Sequence, residues 1–470
     1  MQEIINVSLS HRSNHLISQF YNCLEPLLYD ADHENDVFLN QSVDKVNKTV
    51  SYTPRALLWD AKLGNGSLGT YQYVSENDHV DSLKREDDKN VLNTAQTVQT
   101  HDRIRKSPYQ LALDQGNAQL PKLNDDIAQY WSDYSKLIYD PSSFNLLQDW
   151  YHDSEHQSNA PNFQNLHQVY FDKYEVGLEQ FKERYSNEFF DNNLHLQLEK
   201  CDNLQGFNIV TEVDDAWGGF AASLLMELKD ELPKVSYFTY AWNKDDVVSL
   251  KEPIHSTKTK FQALCNKIRA TISLVQESDL FFPIYADSKK SFWQSTGETV
   301  LLFDSINSIF HGSRKHSSTD INVRKMSHLT DVLTLGESKR NIVSKLNVDH
   351  YTSYSFYERL PYYKNSKGQS SFTFTECEID RVCHDKATKF HFNTYPWTNS
   401  DTVPESHRVC TEAILGVTEK SRDVFKTWED LVSRYFRYDS DREELKDNLA
   451  TISQEYEHGF YDDEDSGLDM

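Results

Sequence analysis

The first half of the chain alternates short apolar runs with longer segments that carry apolar residues at helical spacing. Residues 5–9 alternate apolar and polar positions as a strand does, and 16–24 place apolar residues four apart, which predicts a helix. Further strands are predicted at 55–60, 206–213, 235–242 and 280–285, and helices at 124–139, 171–199 and 259–277. The apolar run at 300–303 is also of strand length. Strands separated by helix-length segments indicate an α/β fold with a largely parallel sheet.

The pattern loosens beyond about residue 310 and becomes helical again near the end. Residues 424–435 and 445–456 each carry one apolar stripe, and Ser440 and Glu443 have the spacing of a capping box before the second stripe. The last twelve residues, 459–470, are mostly acidic and polar, so we expect a disordered tail.

These shifts in pattern divide the chain into four segments. Residues 1–120 form a first segment with a polar, mobile insertion at about 75–107, and 121–310 a second that contains a glycine turn. Residues 311–458 form a smaller α/β domain with C-terminal helices, and 459–470 form the tail. The expected architecture is therefore a parallel-sheet domain of the nucleotide-binding type followed by this smaller domain.

The charge balance limits the classes of partner. Lys and Arg number 48 against 73 Asp and Glu, and 48 − 73 = −25, so we expect no direct contact with nucleic acid. The six cysteines lack zinc-ligand spacing and are expected to be reduced thiols, and no metal site is expected. No apolar run reaches the roughly 20 residues of a spanning helix, and no signal or transit peptide is recognised.

The most informative stretch is 201–228, which predicts a buried strand, a tight turn and a helix start. This arrangement cradles phosphates in nucleotide-binding folds. Here, however, the turn carries Asp214, Asp215 and Trp217 where an anion would need bare backbone. We therefore predict that the scaffold is kept and the phosphate chemistry is lost.

Several blocks of sequence resemble tubulins, and most closely the Misato family of tubulin-like proteins. The tubulin-like blocks are QEIINV at 2–7, YTPRALLWD at 52–60, LQGF at 204–207 and SLLME at 223–227. Those similar to Misato proteins in particular are YWSDY at 130–134, DPSS at 140–143, CDNLQGF at 201–207 and IDRVCH at 379–384. The resemblance covers nearly the whole chain.

The resemblance implies a tubulin-like fold and a role in the distribution of mitochondria and the partitioning of mitochondrial DNA. It also implies contacts with proteins, with tubulin or chaperonin components as candidates. The expected location is the mitochondrion, on its cytosolic face and by peripheral association, and also the cytoplasm.

The resemblance points to six residues as remnants of a nucleotide site: Ser10, His11, Arg12, Asp60, Gly218 and Gly219. In tubulins the first loop is rich in glycine, whereas this chain has serine, histidine and arginine there, so the close backbone approach to phosphate is lost. Arg12 could still meet an anion. Asp60 is interpreted as a polar strand end, because Lys62 stands where tubulins place an acid near the metal.

The turn at 214–220 is expected to repel a triphosphate. At an effective dielectric constant near 20, like charges about 4 Å apart cost roughly 4 kcal/mol. Trp217 adds bulk, and close packing accounts for Gly218 and Gly219 as well as a ligand does.

We therefore expect a non-catalytic tubulin-like protein that acts through protein contacts, with no catalytic residues and no cofactor. One alternative is a GTP-binding, polymer-forming GTPase, which would need GTP seated beside residues 214–217. The other is an adaptor in tubulin or chaperonin assembly.

Overall fold

The computed structural model describes residues 2–29, 35–43, 48–70, 104–153, 160–164, 166–244, 258–311, 325–337, 339–349, 352–360, 371–382, 390–405, 410–437 and 439–458. Most of the insertion predicted at 75–107 and all of the tail at 459–470 lie outside the described residues. The five cysteines within the described residues are unpaired, as expected for reduced thiols.

The described residues form two larger sheets and a hairpin. In chain order the strands are β1 (Glu3–Leu9), β2 (Leu39–Val43), β3 (Val50–Pro54), β4 (Ala56–Lys62), β5 (Phe144–Tyr151), β6 (Asn162–Phe163), β7 (Leu166–Tyr170), β8 (Leu204–Glu212), β9 (Ser236–Lys244), β10 (Leu280–Ala286), β11 (Lys345–Val348), β12 (Thr352–Ser353), β13 (Thr373–Asp380), β14 (His391–Asn393) and β15 (Glu412–Thr418). The larger sheet has the order β10-β9-β8-β1-β4-β5-β6-β7, and β2 pairs with β3.

The α-helices surround these sheets. They are α1 (His11–Leu24), α2 (Pro108–Asp114), α3, α4 (Ala216–Glu231), α5 (Lys258–Glu277), α6 (Phe292–Ser308), α7 (Met326–Thr334), α8 (Phe356–Arg359), α9 (Lys420–Tyr435) and α10 (Arg442–Glu455). Helix α3 starts at Tyr174–Gln180 and ends at His195–Leu198, with π-helical turns at Phe181–Tyr185 and Phe189–Leu194.

Six strands of the larger sheet, from β10 to β5, are parallel, which confirms the predicted fold class. Helices cover both faces, as neighbouring residues of β8 show. Asn208 bonds to Asn307 of α6, whereas the ring of Phe207 stacks on Tyr237, whose hydroxyl donates to the carbonyl of Leu228 in α4. Because successive side chains of a strand point to opposite faces, α6 and α4 lie on opposite sides. This double covering explains why every residue of β1 is buried.

The smaller sheet has the order β12-β11-β15-β13-β14 and is mostly antiparallel. Helices α9 and α10 follow it and pack on each other, and their predicted apolar stripes are buried at Phe425, Leu431, Leu445 and Leu449. A single apolar core extends from β1 to the end of α10.

The prediction of a helix at 124–139 was wrong. The segment holds turns and a short 3-10 helix at Trp131–Tyr134, and Ile138 is exposed. Side chains take the backbone groups that a helix would use. Asn124 accepts from the amide of Ile127, and Asp133 accepts from that of Tyr130. Such local bonds compete with helix formation.

Two smaller predictions were also wrong. The apolar run at 300–303 lies inside α6, where it is buried as part of a helix. The expected capping box at Ser440 and Glu443 does not form, because α10 starts one residue later. Its N-cap is Asp441, and no side chain caps it.

Candidate functional site

The candidate site is a cleft at the carboxyl ends of the parallel strands, where open α/β sheets bind ligands. Ser10 follows β1, while Asp60, Glu212 and Lys244 lie at the ends of β4, β8 and β9. The cleft has a volume of about 340 Å³ with its open mouth included, and little of that space is wide enough for a water molecule. Its lining residues are Ser10, His11, Asp60, His152, Ala160, Pro161, Glu212, Asp215, Trp217, Lys244 and Phe292.

The start of α1 keeps a backbone shape that favours glycine although the residue there is serine. Ser10 has φ 128° and ψ 159°, a region that residues with a side chain rarely adopt. Its hydroxyl accepts from the amide of Ser13, so the chain itself satisfies this helix N-terminus. An anion at this end of α1 would have to displace that bond.

His11 and Asp60 belong to a buried polar network. His11 Nδ1 lies 2.8 Å from Asp60 Oδ2, and His11 Nε2 lies 3.3 Å from Nε2 of His15. His15 Nδ1 is in turn 2.6 Å from the hydroxyl of Tyr134. Asp60 is almost fully buried, so it is not the solvated strand end that we expected. The ring of His152 lies against that of His11, with centroids 4.1 Å apart.

Arg12 points away from any external anion. Its guanidinium is buried, donates to Ser295 Oγ at 3.0 Å and lies 3.7 Å from the carboxylate of Glu212. The ring of Phe292 lies beneath it, 4.5 Å away. Glu212 therefore supplies the negative charge that Arg12 might otherwise have taken from a ligand.

The carboxylates of the turn are neutralised by the chain's own cations. Lys244 Nζ lies 2.8 Å from Glu212 and 3.7 Å from Asp215, and Lys267 Nζ lies 3.0 Å from Asp214. The expectation that two unpaired carboxylates would repel a triphosphate was therefore wrong. Because the nearby cations are already paired, they offer little attraction to phosphate either.

Burial and these ion pairs shift the pKa values of the cluster. Burial raises the pKa of Asp215 to about 7, against the opposing effect of Lys244. Burial also acts to raise the pKa of Glu212, but Lys244 and Arg12 outweigh it and hold that pKa below its ordinary value. In the neighbouring network, burial lowers the pKa of His152 to about 3, so this ring is neutral.

Trp217 fills the space beside the turn. Its indole packs edge-on against Phe171 and Phe220, with centroid distances of 5.2 and 5.5 Å, and it forms part of the cleft wall. The amide of Trp217 donates to the carboxylate of Asp215, which caps α4. The N-terminus of α4, like that of α1, is thus satisfied from within the chain.

Gly218 and Gly219 face other helices rather than the cleft. A Cβ added at Gly218 would lie 2.6 Å from that of Ala270 in α5, and one at Gly219 would overlap the carbonyl oxygen of Tyr174 in α3. Both glycines therefore permit close packing between α4 and its neighbouring helices. The structure separates this pair from Ser10, His11 and Asp60, which it brings together.

A nucleotide with magnesium does not fit these residues. Phosphate binding at this edge of a sheet needs free amides at a helix start, whereas Ser10 and Asp215 already occupy those of α1 and α4. Sequence reasoning missed His152, Glu212, Lys244, Lys267 and Phe292. Glu212 and Lys244 could have been noticed as charged residues at the ends of apolar strands.

The parallel sheet and the cleft at its carboxyl edge define a tubulin-like protein. Residues 120–314 match a family model described as a tubulin domain, and 2–115 match one described as the Misato Segment II tubulin-like domain. The chain belongs to the Misato family, as the expected resemblance indicated.

Curated relatives agree over the full length. The chain is 76% identical to a Kluyveromyces lactis relative and 42% identical to one from Eremothecium gossypii, and each alignment covers all of both chains. A Debaryomyces hansenii relative is 34% identical over 74% of this chain and 65% of its own length. All three are named Protein DML1. Among the described residues, no helix is both long enough and apolar enough to cross a membrane.

Proposed function

We propose that this chain is a non-catalytic tubulin-like protein that acts through protein contacts in the partitioning of mitochondria and the inheritance of mitochondrial DNA. One observation carries the non-catalytic part. The chain's own groups occupy the cleft, because Ser10 and Asp215 cap the two helix starts and Glu212 pairs with Arg12 and Lys244. A protein whose phosphate positions are filled in this way works by binding other molecules.

Membership of the Misato family supports the mitochondrial part of the proposal. The net charge of −25 favours protein partners with basic surfaces over nucleic acid. We place the protein on the cytosolic face of mitochondria and in the cytoplasm, with tubulin or chaperonin components as candidate partners.

A calorimetric titration of the full chain with GTP, with and without magnesium, tests the non-catalytic part. We expect no saturable binding, whereas tubulin titrated in parallel provides the positive control. Saturable binding at micromolar GTP would overturn the proposal if a Gly218→Trp change abolished it, because that change disturbs the packing of α4 beside the cleft.

Depletion of the protein in cells tests the mitochondrial part. We expect uneven distribution of mitochondria and loss of mitochondrial DNA over successive divisions, and re-expression of the wild-type chain should restore both. Normal inheritance of mitochondrial DNA in depleted cells would contradict the proposed role while leaving the GTP result untouched.

A further inference from the structure

Three neighbouring strands bring potential metal ligands to one point. His11 follows β1, Asp60 lies near the end of β4, and His152 directly follows β5. The strand order β1-β4-β5 places their carboxyl ends side by side. Ligand atoms of the three residues all lie within 4.8 Å of one another, and all three side chains are buried.

The types of ligand define the class of ion. Two imidazoles and a carboxylate suit Zn²⁺ and similar divalent transition metals, and three protein ligands with one open position are common for zinc. Magnesium and calcium prefer sets made only of oxygen atoms. A set with two histidines is therefore chemically different from a magnesium site beside phosphates.

A second observation points to an occupant. His152 Nε2 is buried and has no hydrogen-bond partner, although the residue is only 7% exposed and forms part of the cleft wall. Buried polar atoms are nearly always satisfied, and an exception asks for an unseen water or ion. The position of this nitrogen, near His11 and Asp60, is where such an ion would bind.

The groups around the cluster hold two of the ligands in place. The amide of Ala61 donates to Asp60 Oδ1 at 2.8 Å, and Asn14 Nδ2 donates to Asp60 Oδ2 at 3.1 Å. His11 Nε2 lies against His15, which in turn contacts the hydroxyl of Tyr134. Outer partners of this kind fix the orientation of ligands and are typical of metal sites.

We propose that His11, Asp60 and His152 bind a divalent transition metal of the zinc type, with the open coordination position facing the cleft. The ion takes the place of the proton between His11 Nδ1 and Asp60 Oδ2. That proton is carried instead on His11 Nε2, and His15 adopts the opposite tautomer with its proton toward Tyr134, so no proton is lost. Tetrahedral ligands of zinc lie about 3.4 Å apart, so side-chain shifts on the order of 1 Å complete the site.

Such an ion ties the ends of β1, β4 and β5 together. Metal binding to the folded chain alone stabilises it, so the site would act as a clip at the edge of the sheet. This inference does not depend on the proposed mitochondrial role, and it assigns chemistry to a cleft that does not fit a nucleotide.

The test is a titration of the full chain, stripped with a chelator, with ZnCl₂. We expect one high-affinity equivalent in the wild type, and a loss of affinity of at least about tenfold in His152→Ala and in Asp60→Asn. His328→Ala removes an exposed histidine of α7 and serves as the matched control, with unchanged affinity expected. Equal zinc affinity in the wild type and His152→Ala would overturn the proposal.

Cobalt keeps the test decisive if the variants fail to fold. Co²⁺ added to the stripped wild-type chain should give the visible absorption of a four-coordinate site with nitrogen and oxygen ligands, and Zn²⁺ should remove it. Absence of this spectrum from the folded wild type would also overturn the proposal. Magnesium at the same concentration should leave the melting temperature of the wild type unchanged, and an equal rise with Mg²⁺ and Zn²⁺ would count against a histidine site.

Discussion

The guanidinium Nε of Arg12 lies 3.7 Å from Oε1 of Glu212, across the gap between the start of α1 and the end of β8. These residues are distant in the sequence, and both are buried. The pair closes the edge of the sheet where a related fold would hold phosphates. The chain thus carries within itself both the cation and the anion of that site.

Glu212→Gln should be strongly destabilising. The change leaves Arg12 without its carboxylate and removes the closest anion of Lys244, and breaking a buried ion pair from one side costs about 3–5 kcal/mol. Urea unfolding at pH 7 would measure the loss. Glu199→Gln, at an exposed position of α3, should change the free energy of unfolding by less than about 0.5 kcal/mol. Equal effects of the two changes would show that the buried pair contributes nothing.

Substitutions at Ser10 should separate backbone strain from helix capping. Ser10→Gly relieves a conformation that costs on the order of 1–3 kcal/mol and loses only a few tenths at the cap, so we expect a chain at least as stable as the wild type. Ser10→Ala keeps the strain and loses the cap, so it should cost about 1 kcal/mol. Thermal unfolding of both variants gives the comparison, and an alanine variant more stable than the glycine variant would refute the strained backbone.

Asp215 should make stability depend on pH. Its pKa in the folded chain is raised to about 7 by burial, whereas its ordinary value is 3.8. The folded state therefore binds a proton that the unfolded state releases. The resulting stabilisation is fully present below about pH 4 and is lost as the pH rises through 7.

Asp215→Asn removes this titration and keeps a side chain that can cap α4. The stability of the variant relative to the wild type should therefore rise by on the order of 2 kcal/mol between pH 4 and pH 8. Urea unfolding across that range measures the difference. A constant difference would mean that Asp215 is already ionised in the folded chain at low pH.

Gly219→Ala should destabilise the contact between α4 and α3. The added methyl group would overlap the carbonyl oxygen of Tyr174, and overpacking of this kind costs about 1–3 kcal/mol. Met226→Ala, at an exposed position of the same helix, should have little effect on the melting temperature. If Gly219→Ala melted with the wild type, the close approach of the two helices would be refuted.

Much of the fold could be predicted because the parallel strands are buried on both faces. Buried strands must be continuously apolar, so β1, β4, β8, β9 and β10 stood out in the sequence. The segment at 124–139 misled the prediction, because apolar spacing cannot show that Asn124 and Asp133 bond to the local backbone instead of allowing a helix. The run at 300–303 was too short to distinguish a strand from a buried helix.

The sequence by itself determined the class of fold, the family, and the presence of charged and bulky residues in the turn after β8. Only the tertiary structure decided what those residues do. It paired Glu212 with Arg12 and Lys244, turned Gly218 and Gly219 toward neighbouring helices, and brought His152 to His11 and Asp60. The physical reason is that local spacing governs secondary structure, whereas the order of strands in a sheet decides which distant side chains meet.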